Sequence, residues 1–122
     1  MANNPLPGVE IYLDALSGRK AKDIVVLDVR GLTSIADFFI LCSGSSNRQV
    51  SAIAEYTEEK LKHGSRITPL SVEGKEDGSW ALLDYGDAII HIFFEEVRSF
   101  YDLEGLWSDA KKVEIENRND SF

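Results

Sequence analysis

Cysteine is nearly absent: the chain of 122 residues has one, Cys42. A lone thiol forms no internal disulfide and no multi-cysteine zinc site, which fits a reducing compartment. Histidine is also scarce, with only His63 and His91, too few for a histidine-based zinc site. Long apolar runs are missing. The longest strictly apolar stretch covers residues 38–42, far short of the roughly 20 residues that cross a bilayer. Positive charge is in deficit, with 13 Lys+Arg against 21 Asp+Glu and a net charge of −8. Cations never run longer than two, as in Arg19-Lys20 and Lys111-Lys112. The average field of such a surface repels a phosphate backbone and attracts a basic protein, so free nucleic acid is not the expected ligand. The opening Met1-Ala2-Asn3-Asn4-Pro5 has no charged n-region and no apolar h-region. The expectation is a cytoplasmic protein that does not enter a membrane.

What is present is an ordinary globular balance, 43% hydrophobic and 28% charged. The length predicts one domain, placed at residues 1–110, with a polar C-terminal tail at 111–122. Val9, Tyr12, Leu13 and Leu16 recur at helical spacing within residues 8–19, and Gly18 is placed to end that helix. Residues 24–29 form an apolar, β-branched run that reads as a central strand covered on both faces. Residues 38–42 read the same way. Ser46 and Gln49 form a capping box for a helix through His63, with Gly64 as its left-handed terminator. Residues 67–72 contain Pro69 and read as an edge strand. Residues 80–83 and 88–94 form a hairpin across the turn Asp84-Tyr85-Gly86-Asp87. Val97, Phe100, Tyr101, Leu103 and Trp107 predict a buried stripe on one last helix. The expected fold class is α/β (α+β): a mixed five-stranded sheet packed by helices.

Chemistry-bearing patterns are few. Ser43-Gly44-Ser45 joins a strand to a helix, a place where backbone N–H groups can hold a phosphate. With Asp84 and Asp87 as magnesium ligands, Ser45 would complete a nucleotidyltransferase site. However, three-residue spacing across a turn suits hairpin chemistry better than a carboxylate pair. Cys42 and His91 would make a nucleophile pair, but each sits in an apolar strand where burial is the simpler role. Glu55, Glu58 and Glu59 form a solvated helix face, with Glu58 and Lys62 spaced to pair. Trp80 begins a strand after a polar loop and suits either a core or an interface anchor.

In order, Ser34-Ile35-Ala36-Asp37-Phe38-Phe39, Gly44-Ser45-Ser46-Asn47-Arg48-Gln49-Val50, Val72-Glu73-Gly74, Trp80-Ala81-Leu82-Leu83-Asp84-Tyr85-Gly86-Asp87 and Phe100-Tyr101-Asp102-Leu103-Glu104-Gly105-Leu106-Trp107 resemble the ribosomal silencing factor, or Iojap-like, family. The resemblance implies a nucleotidyltransferase-like fold without the catalytic carboxylates, hence no enzyme, no cofactor and no metal. It implies binding to the large ribosomal subunit through its fourteenth protein, steric blocking of subunit joining, and repression of translation when nutrients are scarce. The partner-binding residues it implies are Trp80, Leu82, Leu83, Asp84 and Tyr85. It also implies a homodimer of the free protein. A magnesium-dependent nucleotidyltransferase and a large-subunit assembly adaptor are the alternatives.

Overall fold

The two most apolar stretches of the chain lie side by side at the centre of the sheet. β2 (Phe38–Gly44) is buried along its whole length, and β5 (Ala88–Phe94) along all but its last residue. They run parallel, in register from Phe38↔Ala88 to Gly44↔Phe94. Strands so apolar need cover on both faces, and the neighbouring elements supply it. The computed structural model describes residues 8–115. The other elements, in chain order, are α1 (Glu10–Ser17), β1 (Lys22–Asp28), α2 (Asn47–Ser65), β3 (Ser71–Glu73), β4 (Trp80–Asp84), α3 (Glu95–Tyr101), α4 (Leu103–Leu106) and β6 (Lys111–Val113). The sheet is mixed and six-stranded, in the order β3-β4-β5-β2-β1-β6.

The sixth strand corrects the expected five. Lys111–Val113 pairs antiparallel with β1, and Val113 and Ile115 pack against the core. These residues carry too little apolar periodicity to read as a strand, and pairing with the open edge of β1 orders them. Residues 116–122 of the expected tail lie outside the described residues. β1 is therefore second from the edge rather than central. A bulge between Lys22 and Val25 leaves its first half exposed or half-buried.

The helices divide unequally between the faces. α1 and α2 lay Tyr12, Leu13, Leu16, Val50, Ile53 and Leu61 over Ile40, Cys42, Leu83, Ile90 and Ile92. Ser46 caps α2 by accepting the Gln49 N–H at 3.0 Å, while the Gln49 Oε1 accepts the Ser45 N–H at 2.8 Å. The expected stop at Gly64 moves two residues. Gly64 stays helical, and Arg66 takes the left-handed conformation at φ 60°, letting Ile67 dock on the core.

The opposite face holds Leu27, Phe39, Leu41, Ile89 and Phe93. Only α3 and α4 cover it, and neither helix contains a fully buried residue. The expected single last helix is broken at Asp102, whose φ of 49° ends α3 and whose carboxylate caps α4. The break turns Phe100 and Tyr101 outward, at 80% and 55% exposure, against the expected buried stripe.

Candidate functional site

Strand alternation sorts β4. Trp80 and Leu82 face the α3–α4 side, whereas Ala81 and Leu83 face α1 and α2. Across the ladder, Trp80 meets Phe93 and Leu82 meets His91. The Trp80 ring lies 4.8 Å from Phe93 and 5.1 Å from Tyr101. Its indole N–H donates to His91 Nδ1 at 3.1 Å. His91 in turn meets Phe39 edge-on at 5.3 Å, Phe39 meets Trp107 at 5.2 Å, and Tyr101 meets Phe100 at 5.1 Å. A connected aromatic row therefore crosses this face from Trp107 to Phe100. Its outer end is open to solvent, and Leu106 beside α4 is 75% exposed.

His91 is the polar link in the row. Burial pushes its pKa down to about 4, so the ring is neutral at pH 7. Because Nδ1 accepts the indole proton, the neutral ring carries its hydrogen on Nε2. That atom is buried without a partner among the described residues.

α3 and α4 are held over the face by Arg98. Its Nη1 donates to the Ser43 Oγ at 2.8 Å and the Asp23 carbonyl at 2.9 Å. Its Nε and Nη2 donate to the two Glu104 carboxylate oxygens at 3.1 and 3.0 Å. The hydrogen bonds from Arg98 hold the Glu104 pKa below its ordinary value against the opposing cost of burial. The loop before Trp80 is fastened rather than loose. The Ser51 hydroxyl donates to the Lys75 carbonyl, Asn47 Nδ2 donates to the Asp77 carbonyl at 3.2 Å, and Lys75 bridges Glu55 and Glu58 at 2.9 Å each. Glu58 thus pairs with Lys75 rather than the Lys62 that helical spacing suggests.

The five residues expected to bind a partner do not form one surface. Trp80 and Leu82 belong to the aromatic face. Leu83 is fully buried beneath the helices on the other side, so it has no surface to offer. Tyr85 also packs there, 5.3 Å from Tyr12, with burial raising its pKa to about 12. Asp84 accepts the Gly86 N–H at 2.8 Å and is occupied in shaping the turn. Phe100, Tyr101 and Leu106 were missed as surface residues because their apolar spacing matches that of a core stripe. The signal that distinguishes them is Asp102, which can cap a new helix in mid-segment.

The nucleotidyltransferase constellation is not assembled. Ser45 follows Gly44 and Asp87 precedes Ala88, at opposite ends of the β2–β5 ladder. With a rise of ~3.3 Å per residue, that separates them by roughly 20 Å. The Ser45 N–H is already taken by Gln49, and Asp87 Oδ1 accepts the Tyr12 hydroxyl at 3.1 Å. Cys42 and His91 lie on opposite faces of the sheet, and burial raises the Cys42 thiol to about 12. Among the described residues, no group of three or more His, Cys, Asp and Glu is placed to hold a metal. None of their helices is long and apolar enough to cross a membrane.

A family model described as ribosomal silencing factor during starvation matches residues 3–121. The chain belongs to the ribosomal silencing factor family. It is 39% identical to a ribosomal silencing factor of Halalkalibacterium halodurans, over 95% of this chain and 97% of that one. It is 32% identical to the mouse protein named mitochondrial assembly of ribosomal large subunit protein 1, over 82% of this chain and 45% of the longer mouse protein. A crystal structure of a Chromobacterium violaceum protein superposes with a TM-score of 0.78 at 40% identity, covering 82% of each chain. The mixed α/β fold is thus the one shared by this family's solved structures, and the family's names are those of regulators and assembly proteins of the ribosome.

Proposed function

We propose that this chain binds the large ribosomal subunit through the aromatic face of its sheet and so obstructs the joining of the small subunit. The carrying observation is the row of rings ending in exposed Tyr101 and Phe100, on a sheet face that two short helices leave half-covered. Aromatic anchors of this kind supply most of the affinity at protein interfaces. Their partner is read as the fourteenth protein of the large subunit, following the family resemblance. The acidic surface adds attraction to basic ribosomal proteins. No catalytic step is part of this reading. The action is steric, takes place in the cytoplasm, and lowers translation when nutrients are scarce.

In the free protein, the same face is proposed to pair weakly with a second copy, because a monomer leaves it in water. A second reading, large-subunit assembly without control of joining, is favoured by the name of the mouse relative. Co-sedimentation with purified subunits separates the two. The leading reading expects retention on large subunits and a dose-dependent loss of the joined ribosome when small subunits are added. Retention on immature large subunits, with joining of mature ones unaffected, selects the assembly reading. Absence from both kinds of large subunit sinks the proposal.

A further inference from the structure

The surface is acidic on average, but one cleft is the reverse. A cavity of about 420 Å³ lies between the turn after α1 and the first turn of α2, lined by Gly18, Arg19, Lys20, Ser46, Arg48, Gln49 and Ala52. Three of these side chains are cationic and none is acidic. Lys22, Arg30, Lys75 and Arg98 each sit within ion-pair distance of a carboxylate. Arg19, Lys20 and Arg48 are exposed and make no such pair among the described residues. Arg48 is also placed against local electrostatics. It stands in the first turn of a 19-residue helix that has no acidic residue there, where the helix dipole disfavours a cation. A position that breaks a local rule without a compensating contact points to a ligand that supplies one.

We propose that this cleft takes a backbone phosphate of the large-subunit RNA when the chain is docked. The inference rests on the docking reading above and adds a second, electrostatic contact to it. Arginine forks and a lysine ammonium match phosphate oxygens without reading base sequence. A net charge of −8 makes the cleft weak toward free RNA. Once the aromatic face is seated, the phosphate contact becomes intramolecular, and high effective concentration replaces intrinsic affinity. The cleft therefore orients a complex that the aromatic face selects.

The test compares the wild type with the triple variant Arg19→Gln, Lys20→Gln, Arg48→Gln, whose altered side chains are all exposed. Titration with a ten-nucleotide oligoribonucleotide at low salt, followed by amide NMR, should shift Gly18, Ser46, Arg48 and Gln49 in the wild type only. Binding to purified large subunits should then show a slope of log K against log salt that is shallower by about 2 in the variant, from ~0.7 per lost phosphate contact. Affinity for the isolated ribosomal protein partner should not change. No localised shifts, or equal salt slopes, would overturn the proposal. So would an equal loss of affinity for the isolated protein, which would make the occupant an acidic protein surface. If neither variant binds large subunits, the docking reading fails, while the oligoribonucleotide shifts still decide whether the cleft holds phosphate.

Discussion

Trp80 divides its surface between the core and the open face. It is half-buried, stacked on Phe93 and hydrogen-bonded to His91, so it is neither a free anchor nor a fully enclosed core residue. Trp80→Ala is expected to cost about 1–3 kcal/mol in urea unfolding, below the ~3–5 kcal/mol of a fully buried aromatic. It should also weaken partner binding by roughly 30-fold or more. Phe100→Ala is the cleaner probe. At 80% exposure its loss should leave unfolding within about 0.5 kcal/mol of wild type while still reducing affinity. Wild-type affinity in Phe100→Ala would remove the outer end of the aromatic row from the interface. His91 makes a separate pH prediction. Its folded pKa of about 4 lies below the unfolded value of about 6.5, so the unfolded chain takes up the proton first as pH falls. Its contribution is complete above pH 6.5 and is lost progressively toward pH 4, by about 3 kcal/mol in all. Unfolding of wild type and His91→Gln at pH 7.5 and 4.5 should show the extra acid loss in the wild type only. Parallel losses in both would assign it to the carboxylates instead.

At the scale of elements, the question is what keeps α3 and α4 over a face they cover so thinly. Neither helix has a fully buried side chain, so hydrophobic docking alone is weak. Arg98 compensates with four hydrogen bonds that reach β1, β2 and α4. Its side chain is 11% exposed and that of Glu104 is 29% exposed, so solvent screening reduces the cost of breaking the pair below that of a fully buried one. Arg98→Ala is expected to lower stability by about 2–3 kcal/mol and to free the Tyr101 ring from Trp80. Arg98→Lys should fail to restore either, because an ammonium cannot span the same fork. Full rescue by Lys in urea unfolding and Tyr101 NMR would show that charge alone suffices. The loop before β4 is set with similar tightness. Gly74 has φ +75°, and a Cβ there would strike the Trp80 carbonyl, so only glycine lets the loop close onto the strand that presents Trp80.

At the scale of the molecule, two opposed tendencies act on the free protein. The half-covered aromatic face favours association, while a charge of −8 on each copy resists it. Salt screens the repulsion and leaves the apolar contact intact. Analytical ultracentrifugation should therefore show a weak dimer that tightens between about 0.05 and 0.5 M salt and is weakened by Phe100→Ala. A species that stays monomeric at all salts and high concentration would refute self-pairing through this face.

Much of this architecture follows from local pattern. The apolar runs of β2 and β5, the capping box at Ser46 and the Gly-containing turns each depend on residues near one another in the chain, and these features read directly from the sequence. The family was legible for a related reason: five motifs in fixed order constrain one another more than any single motif does. The partnerships were not local. β6 exists because β1 has an open edge, Leu83 is interior because α1 and α2 lie over it, and Phe100 is exposed because Asp102 turns the chain between two short helices. Apolar periodicity says that a face will be covered, but not by which element, nor whether the cover will be complete. That is a matter of three-dimensional packing. The same limit applied to charge: the sequence determined an acidic total, whereas only the tertiary structure brought Arg19, Lys20 and Arg48 to one cleft, because the turn after α1 and the start of α2 meet across residues distant in the chain.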